Sequence, residues 1–179
     1  EGVVRSVTSA DLPHFAATGL GVVSYLEGAQ ATEDGTPVAE VRLTTEGGEA
    51  QTFVLRAGQE TAEGIYQGKV AHAQARVGHR WRADTAESER TIEGNDYVAQ
   101  LHWGMPLQMA HIEIVALPFG KQIHIRGLAL IDARDGSNVP LILSNEGRFR
   151  QVHSGDVKVY EVLNALPRAH VVHHTRVIA

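Results

Sequence analysis

The sequence predicts an all-β protein, built as a β-sandwich or jelly roll. Many short stretches alternate apolar with polar residues, which is the period of a pleated strand. Glycine, proline and polar turn residues separate these stretches, as expected for about ten short strands in packed sheets. Helical patterns are weak, and the only candidates for a short helix are Ser9–Ala17 and Gln59–Tyr66.

The first predicted strands are Val3–Thr8 and Gly21–Glu27. The next two, Val38–Thr45 and Ala50–Arg56, flank the turn sequence Glu46-Gly47-Gly48-Glu49. Two alternating stretches joined by a short glycine-containing turn are typical of a β-hairpin. This pair is therefore predicted to be a hairpin.

The middle of the chain is predicted to contain a long polar excursion and a second hairpin. Gly68–Asn95 is rich in charged residues, and we expect it to cross over one sheet as a loop. Tyr97–Trp103 and Ala110–Leu117 both alternate, and they are expected to pair around Gly104–Met109. Further along, Gly127 is predicted to mark a β-bulge.

A compositional seam at Asp135–Asn138 predicts two parts of the chain. Residues 1–135 would form the main β-sandwich, and residues 136–179 a small C-terminal β extension packed on it. The later strand candidates are Val139–Leu143, Arg148–Val152, Val157–Glu161 and His170–Ile178.

The composition excludes several classes of function. The chain has 179 residues with a formal net charge of −5, which argues against nucleic acid as a partner. It has no cysteine, which excludes disulfides, thiolate nucleophiles and cysteine-bound zinc. No stretch approaches the roughly 18 apolar residues of a membrane span. The chain opens on Glu1, without a starting methionine, so we expect a fragment of a longer protein.

Three segments resemble one family of bacterial membrane proteins. They are Tyr160–Ala169 (Y-E-V-L-N-A-L-P-R-A), Leu55–Glu63 (L-R-A-G-Q-E-T-A-E) and Gly127–Asp132 (G-L-A-L-I-D). Similar segments occur in the extracytoplasmic parts of YfhO-type, glycosyltransferase-C-like multi-pass proteins. One departure is Val162, where that family usually has asparagine.

The resemblance implies a fold, a location and a role. In that family a soluble jelly roll similar to galactose-binding domains lies outside the membrane, attached to many transmembrane helices of a sugar transferase. This chain is then expected to be a non-catalytic, extracytoplasmic accessory domain. It would bind glycan or lipid-linked sugar, or pack as a cap on the parent's transmembrane region. Two alternatives remain: a carbohydrate-binding module of a secreted enzyme, and a histidine–metal enzyme on a β-sandwich.

The best candidate for a ligand platform is Arg80-Trp81-Arg82. The Trp81 indole would stack on a sugar ring, and the flanking Arg80 and Arg82 would donate hydrogen bonds. The competing interpretation is a core tryptophan with outward-pointing arginines on an alternating strand.

Metal sites are weaker candidates. If the predicted hairpin forms, His102 and His111 lie opposite each other, about 5 Å apart at Cβ, and could share a metal. His170 and His174 would be about 13 Å apart on a strand, too far to bind one ion. The acidic stretch Asp84–Asp96 is a candidate Ca²⁺ loop of the kind that galactose-binding-like domains carry, but it lacks calcium-loop spacing. Solvated side chains are the alternative in each case.

No catalytic motif is recognisable in the sequence. The serines do not occur in a Gly-x-Ser-x-Gly elbow, no paired carboxylates stand out, and no dinucleotide fingerprint is present. We therefore expect no enzymatic activity within this chain and, apart from the candidate Ca²⁺, no cofactor.

Overall fold

The computed structural model describes residues 4–8, 12–65, 74–84, 91–141, 149–154 and 158–162. Within these ranges the chain forms strands, turns and bends and no helix, so the all-β prediction is confirmed. Neither helix candidate is helical where the structure describes it. Ala16 and Ala17 begin a strand, and residues 59–65 form a turn followed by isolated bridges.

The described residues contain ten strands. They are β1 Val4–Thr8, β2 Ala16–Glu27, β3 Pro37–Thr45, β4 Ala50–Arg56, β5 Val77–Asp84, β6 Thr91–Ala116, β7 Gln122–Asp132, β8 Ser137–Leu141, β9 Phe149–Ser154 and β10 Lys158–Val162. Every pairing between them is antiparallel.

The 26-residue strand β6 belongs to two sheets. Its first half pairs with β5 on one side and β2 on the other, which gives the order β5-β6-β2-β7-β8. Its second half lies between β3 and β1, which gives β4-β3-β6-β1. Between the halves, Gly104 adopts the left-handed backbone conformation, with φ of 82°.

The two sheets share one hydrophobic core, so the fold is a β-sandwich. In β2, β3, β6 and β7, alternate residues point inward and are buried in this core. The fully buried leucine, isoleucine and valine residues include Leu20, Val22 and Leu26 of β2, Val41 of β3, Leu55 of β4, Ile112 of β6 and Leu130 of β7. Each such side chain contributes roughly 1.5–3 kcal/mol relative to an exposed one.

Two expectations for the middle of the chain are wrong. Gly104–Met109 does not reverse the chain, because β2 pairs with β6 on both sides of Gly104 and holds it as one bent strand. Residues 68–95 are not only a loop, because Val77–Asp84 and Thr91–Ala116 pair in antiparallel register. Charged residues such as Arg82 and Glu93 are frequent in these strands, which hid the strand pattern in the sequence.

Two local predictions are confirmed. The hairpin of β3 and β4 forms, and Gly48 in its turn has a φ of 84°. A bulge occurs at Gly127: Val23 pairs with Gly127 and Ser24 with Ile125, which leaves Arg126 as the extra residue.

The sheet continues past residue 135. β8 pairs with β7, and Leu141 of β8 is buried in the main core. β9 and β10 pair with each other as a separate two-stranded sheet, with a register shift between Val159 and Tyr160. The division into 1–135 and 136–179 stays a prediction. No element within the described ranges is a helix long and apolar enough to cross a membrane.

Candidate functional site

A cluster of rings and charges lies on the outer face of the β5-β6-β2-β7 sheet. We call it the outer patch, and it consists of Tyr25, Trp81, Asp96, His124 and Arg126. Tyr25 points away from the core because the alternate β2 residues on either side of it, such as Leu26, face inward. The three rings are each half-buried, so each keeps part of its surface exposed to solvent.

Strand register brings the three rings together. Tyr25 and His124 are cross-strand partners, and their rings stack with centroids 4.5 Å apart and planes 5° apart. On its other side Tyr25 meets Trp81, with centroids 6.0 Å apart and planes inclined at 56°. Tilted pairs at this distance are a favourable arrangement of aromatic rings. The rings therefore form one continuous surface across three strands.

Two glycines leave room for the Tyr25 and Trp81 rings. A Cβ atom at Gly94 would overlap the Trp81 indole, and one at Gly64 would overlap the Tyr25 ring. Gly64 belongs to a short segment inserted between β2 and β6. Its N–H donates to Leu26 O (2.8 Å), and its carbonyl accepts from Asn95 N (2.9 Å). The backbone at Gly64 and Gly94 therefore packs directly against the two rings.

Asp96 is the polar centre of the patch. It is only 7% exposed, and its Oδ1 accepts a hydrogen bond of 3.1 Å from the Trp81 indole Nε1. Arg126 Nε lies 3.7 Å from the same oxygen, and His79 Nδ1 lies 3.6 Å from Oδ2. Such neighbours offset the cost of removing a carboxylate from water.

Arg126 and Glu27 complete the surroundings of the Tyr25 ring. The Arg126 guanidinium carbon lies 5.4 Å from the Tyr25 centroid, which is a cation–π contact. Glu27 Oε2 is 2.7 Å from His124 Nε2. Burial raises the pKa of Tyr25, Arg126 opposes that rise, and Glu27, Asp96 and Glu63 add to it.

Of the predicted platform residues, only Trp81 joins the patch. Arg80 and Arg82 alternate with it along β5, so they occupy the opposite face of the strand. Arg82 Nη2 pairs there with Glu93 Oε1 at 2.7 Å, and both side chains are well exposed. The cation next to Trp81 and Asp96 is instead Arg126, from β7.

The predicted histidine pair does not face each other across a hairpin. His102 and His111 lie on one strand, nine positions apart, and His102 pairs with Gly19 whereas His111 pairs with Thr44. Over the described ranges, no group of three or more His, Asp or Glu side chains is placed to hold a metal ion. His170 and His174 lie outside the described residues.

The acidic stretch expected as a Ca²⁺ loop is largely strand where the structure describes it. Asp84 ends β5, and β6 begins at Thr91. Residues 85–90 lie outside the described residues. The carboxylate of Asp96, at the end of the stretch, accepts from Trp81.

The segment Leu55–Glu63 has a structural role. It closes a turn in which Gly58 N donates to Thr61 O (2.8 Å) and Glu60 Oε2 accepts from Arg56 N (2.8 Å). Glu63, only 2% exposed, accepts from the backbone N–H groups of Ala29 and Ile65. The motif thereby fixes the segment that carries Gly64. Of the other two motifs, Gly127–Asp132 lies in β7, and 163–169 lies outside the described residues.

Sequence reasoning missed four patch residues: Tyr25, Asp96, His124 and Arg126. They come from three separate strands, and only the register brings them together. One signal was present in the sequence. Tyr25 lies on the outward-facing side of β2, because the alternate positions Val22, Ser24 and Leu26 are buried. A large ring at an outward strand position is typical of a binding or packing surface.

The patch is suited to binding a ligand. Its rings offer an apolar surface, and Asp96, Arg126 and His124 surround them with hydrogen-bonding and charged groups. It contains no serine or cysteine nucleophile. No protein-family model matches this chain, and no curated protein and no solved structure matches it either.

Proposed function

We propose that this chain is a non-catalytic carbohydrate-binding domain, and that the saccharide lies across Trp81 and Tyr25. The observation that carries the proposal is the continuous surface of Trp81, Tyr25 and His124 on an outward sheet face. Sugar rings present an apolar C–H face and a rim of hydroxyl groups. They therefore match a half-buried aromatic surface bordered by charged donors and acceptors.

The rigidity of the patch supports this role. The Trp81 indole is held by Asp96 (3.1 Å), and Tyr25 is held between His124 and Trp81. Side chains that are already fixed lose little conformational entropy when a ligand binds. Gly64 and Gly94 let the backbone pack directly against the Tyr25 and Trp81 rings, because a Cβ atom at either position would overlap a ring.

The location proposed with this function is extracytoplasmic. The support is the likeness of Leu55–Glu63, Gly127–Asp132 and Tyr160–Ala169 to YfhO-type membrane proteins, whose external domain is similar to galactose-binding domains. On this proposal the domain presents glycan or lipid-linked sugar to the parent's transmembrane region.

The extracytoplasmic location is tested by protease treatment of intact bacteria producing the full-length parent, because an external domain is cleaved without lysis. An upstream reading frame rich in apolar 20-residue segments is expected, whereas a glycosidase domain would favour the secreted-enzyme alternative.

The binding proposal is tested with a glycan array followed by calorimetric titration. The wild-type domain should bind at least one saccharide at millimolar concentration or below. Trp81→Ala should weaken that binding by up to about tenfold, since stacking on one aromatic ring is worth about 0.5–1.5 kcal/mol and a tenfold change in affinity corresponds to about 1.4 kcal/mol.

Trp103→Phe is the matched control, because it is the other tryptophan of the chain. Its indole Nε1 donates to Ala17 O (2.8 Å), and its ring meets Phe53 rather than the patch. Its binding should be unchanged. Absence of binding to every saccharide, or equal binding by wild type and Trp81→Ala, would overturn the proposal.

A further inference from the structure

We infer that the outer patch selects saccharides that carry a positive charge, such as amino sugars, over neutral and acidic saccharides of the same shape. This inference rests on the proposed carbohydrate-binding function and specifies its ligand. Two independent observations carry it: a cation already lies over a patch ring, and carboxylates outnumber cations around that ring.

The first observation is the position of Arg126. Its guanidinium carbon lies 5.4 Å from the Tyr25 centroid, and its side chain is about half exposed (52%). Aromatic faces attract cations through the negative potential of the π system. Since Arg126 already occupies this position at Tyr25, a ligand ammonium would use the adjoining Trp81, the ring type that binds cations best.

The second observation is the balance of charge around Tyr25. Among the described residues, the charged groups placed around it are Glu27 beside His124, Asp96 bonded to Trp81, and Glu63 next to Gly64, together with the cation Arg126. Three carboxylates and one guanidinium leave a formal excess of two negative charges, with the histidines neutral. Asp96 and Glu63 are only 7% and 2% exposed, so water and salt screen them less than surface charges. Their field therefore extends over the rings.

The arginines of β5 lie away from this surface. Arg80 and Arg82 occupy the opposite face of β5, and Arg82 pairs with Glu93. Arg126 itself lies 3.7 Å from Asp96. His79 lies 3.6 Å from Asp96, and His124 lies 2.7 Å from Glu27. An acidic sugar would meet the excess carboxylates, whereas an ammonium group would be attracted by them.

The test uses three glucose tetramers that differ only at C6. Cellotetraose carries a hydroxyl, the second probe carries an amine in its place, and the third carries a carboxylate. At pH 7.5 in low salt, calorimetry should show the amine form binding at least about threefold more tightly than cellotetraose, the size of an exposed cation–π contact. The carboxylate form should bind most weakly. The difference should shrink in 0.5 M NaCl, because salt screens charge.

Glu27→Gln identifies the source of the preference. Glu27 is exposed and lies beside His124, so its substitution should reduce the amine-to-hydroxyl affinity ratio. Glu46→Gln, an exposed change in the β3–β4 turn, should leave the ratio as in wild type. Equal affinities, a preference for the carboxylate form, or binding of none of the three probes overturns the charge inference. The proposed function itself fails only if no saccharide on the array binds.

Discussion

The indole N–H of Trp81 donates to a carboxylate oxygen of Asp96 that is almost fully removed from solvent. The two residues lie on neighbouring strands, β5 and β6, and Trp81 is the register partner of Gly94, two positions before Asp96. This bond ties the exposed hairpin strand to the sandwich. It also fixes the orientation of the ring that we propose as the main sugar platform.

The strength of this bond is measurable by a double-mutant cycle. Trp81→Phe removes the donor and keeps a ring, which should cost about 1–3 kcal/mol because Asp96 loses a partner while buried. Asp96→Asn should also destabilise. The double variant should be less destabilised than the sum of the two, by about 0.5–3 kcal/mol, as measured by urea unfolding. Strict additivity would show that the two side chains do not interact.

The close packing of Trp81 depends on the missing side chain at Gly94. Gly94→Ala should destabilise the domain by about 1–3 kcal/mol, because the new methyl group overlaps the indole. In a Trp81→Ala background the same change should cost much less, since the overlapping ring is gone.

Gly127→Ala is the control for Gly94→Ala. A Cβ there would meet Val23 atoms at an ordinary 3.8 Å, so thermal unfolding should show a change of no more than about 1 kcal/mol. If Gly94→Ala costs the same with and without the Trp81 ring, the overlap is not what requires glycine.

The alternation of apolar and polar residues predicted the sandwich well where one face of a strand is buried and the other is exposed to solvent. In β3, Val41 and Leu43 are buried while Arg42 is exposed, and the hairpin with β4 was found from its turn. The pattern failed at β5 and at the start of β6, where both faces reach solvent and charged residues such as Arg82 and Glu93 pair across the strands. It also failed at Gly104, which bends a strand rather than ending it.

The site was predictable only in part, because it depends on register rather than on local sequence. Trp81 was identified from its neighbours, but those neighbours alternate to the other face. Arg126 reaches Asp96 only because the bulge at Gly127 adds a residue to β7. A one-residue change in register moves every side chain of a strand to the other face, so no single segment contains this information.

Glu63 is predicted to stabilise the segment beneath Tyr25. Its carboxylate accepts from the N–H groups of Ala29 and Ile65, and the residue is 2% exposed. Glu63→Leu should cost about 1–3 kcal/mol or more, because those N–H groups lose their buried acceptor. Glu46→Leu, at an exposed turn, should change stability by about 0.5 kcal/mol at most. Equal urea midpoints for the two variants would contradict the role of Glu63.

Tyr25 should make stability fall at alkaline pH. Burial raises its pKa above the ordinary value of 10.0, so the folded protein keeps the phenol proton at a pH where the unfolded chain has lost it. Stability from this residue is complete below pH 10 and is lost as the pH rises through the folded-state pKa. Ultraviolet titration should therefore show a late-ionising phase, and Tyr25→Phe should reduce its amplitude by one of the four tyrosines. A late phase of unchanged amplitude in Tyr25→Phe would contradict this assignment.

The central claim, that a saccharide lies on Trp81, is tested most directly by its indole N–H resonance. The chain has two tryptophans, so a ¹⁵N-labelled domain gives two indole signals, and Trp103→Phe assigns them. During titration with a saccharide selected on the array, the Trp81 signal should shift saturably while the Trp103 signal stays fixed. Saturable binding that shifts the Trp103 signal, or shifts neither, would contradict the account and place the saccharide elsewhere on the domain.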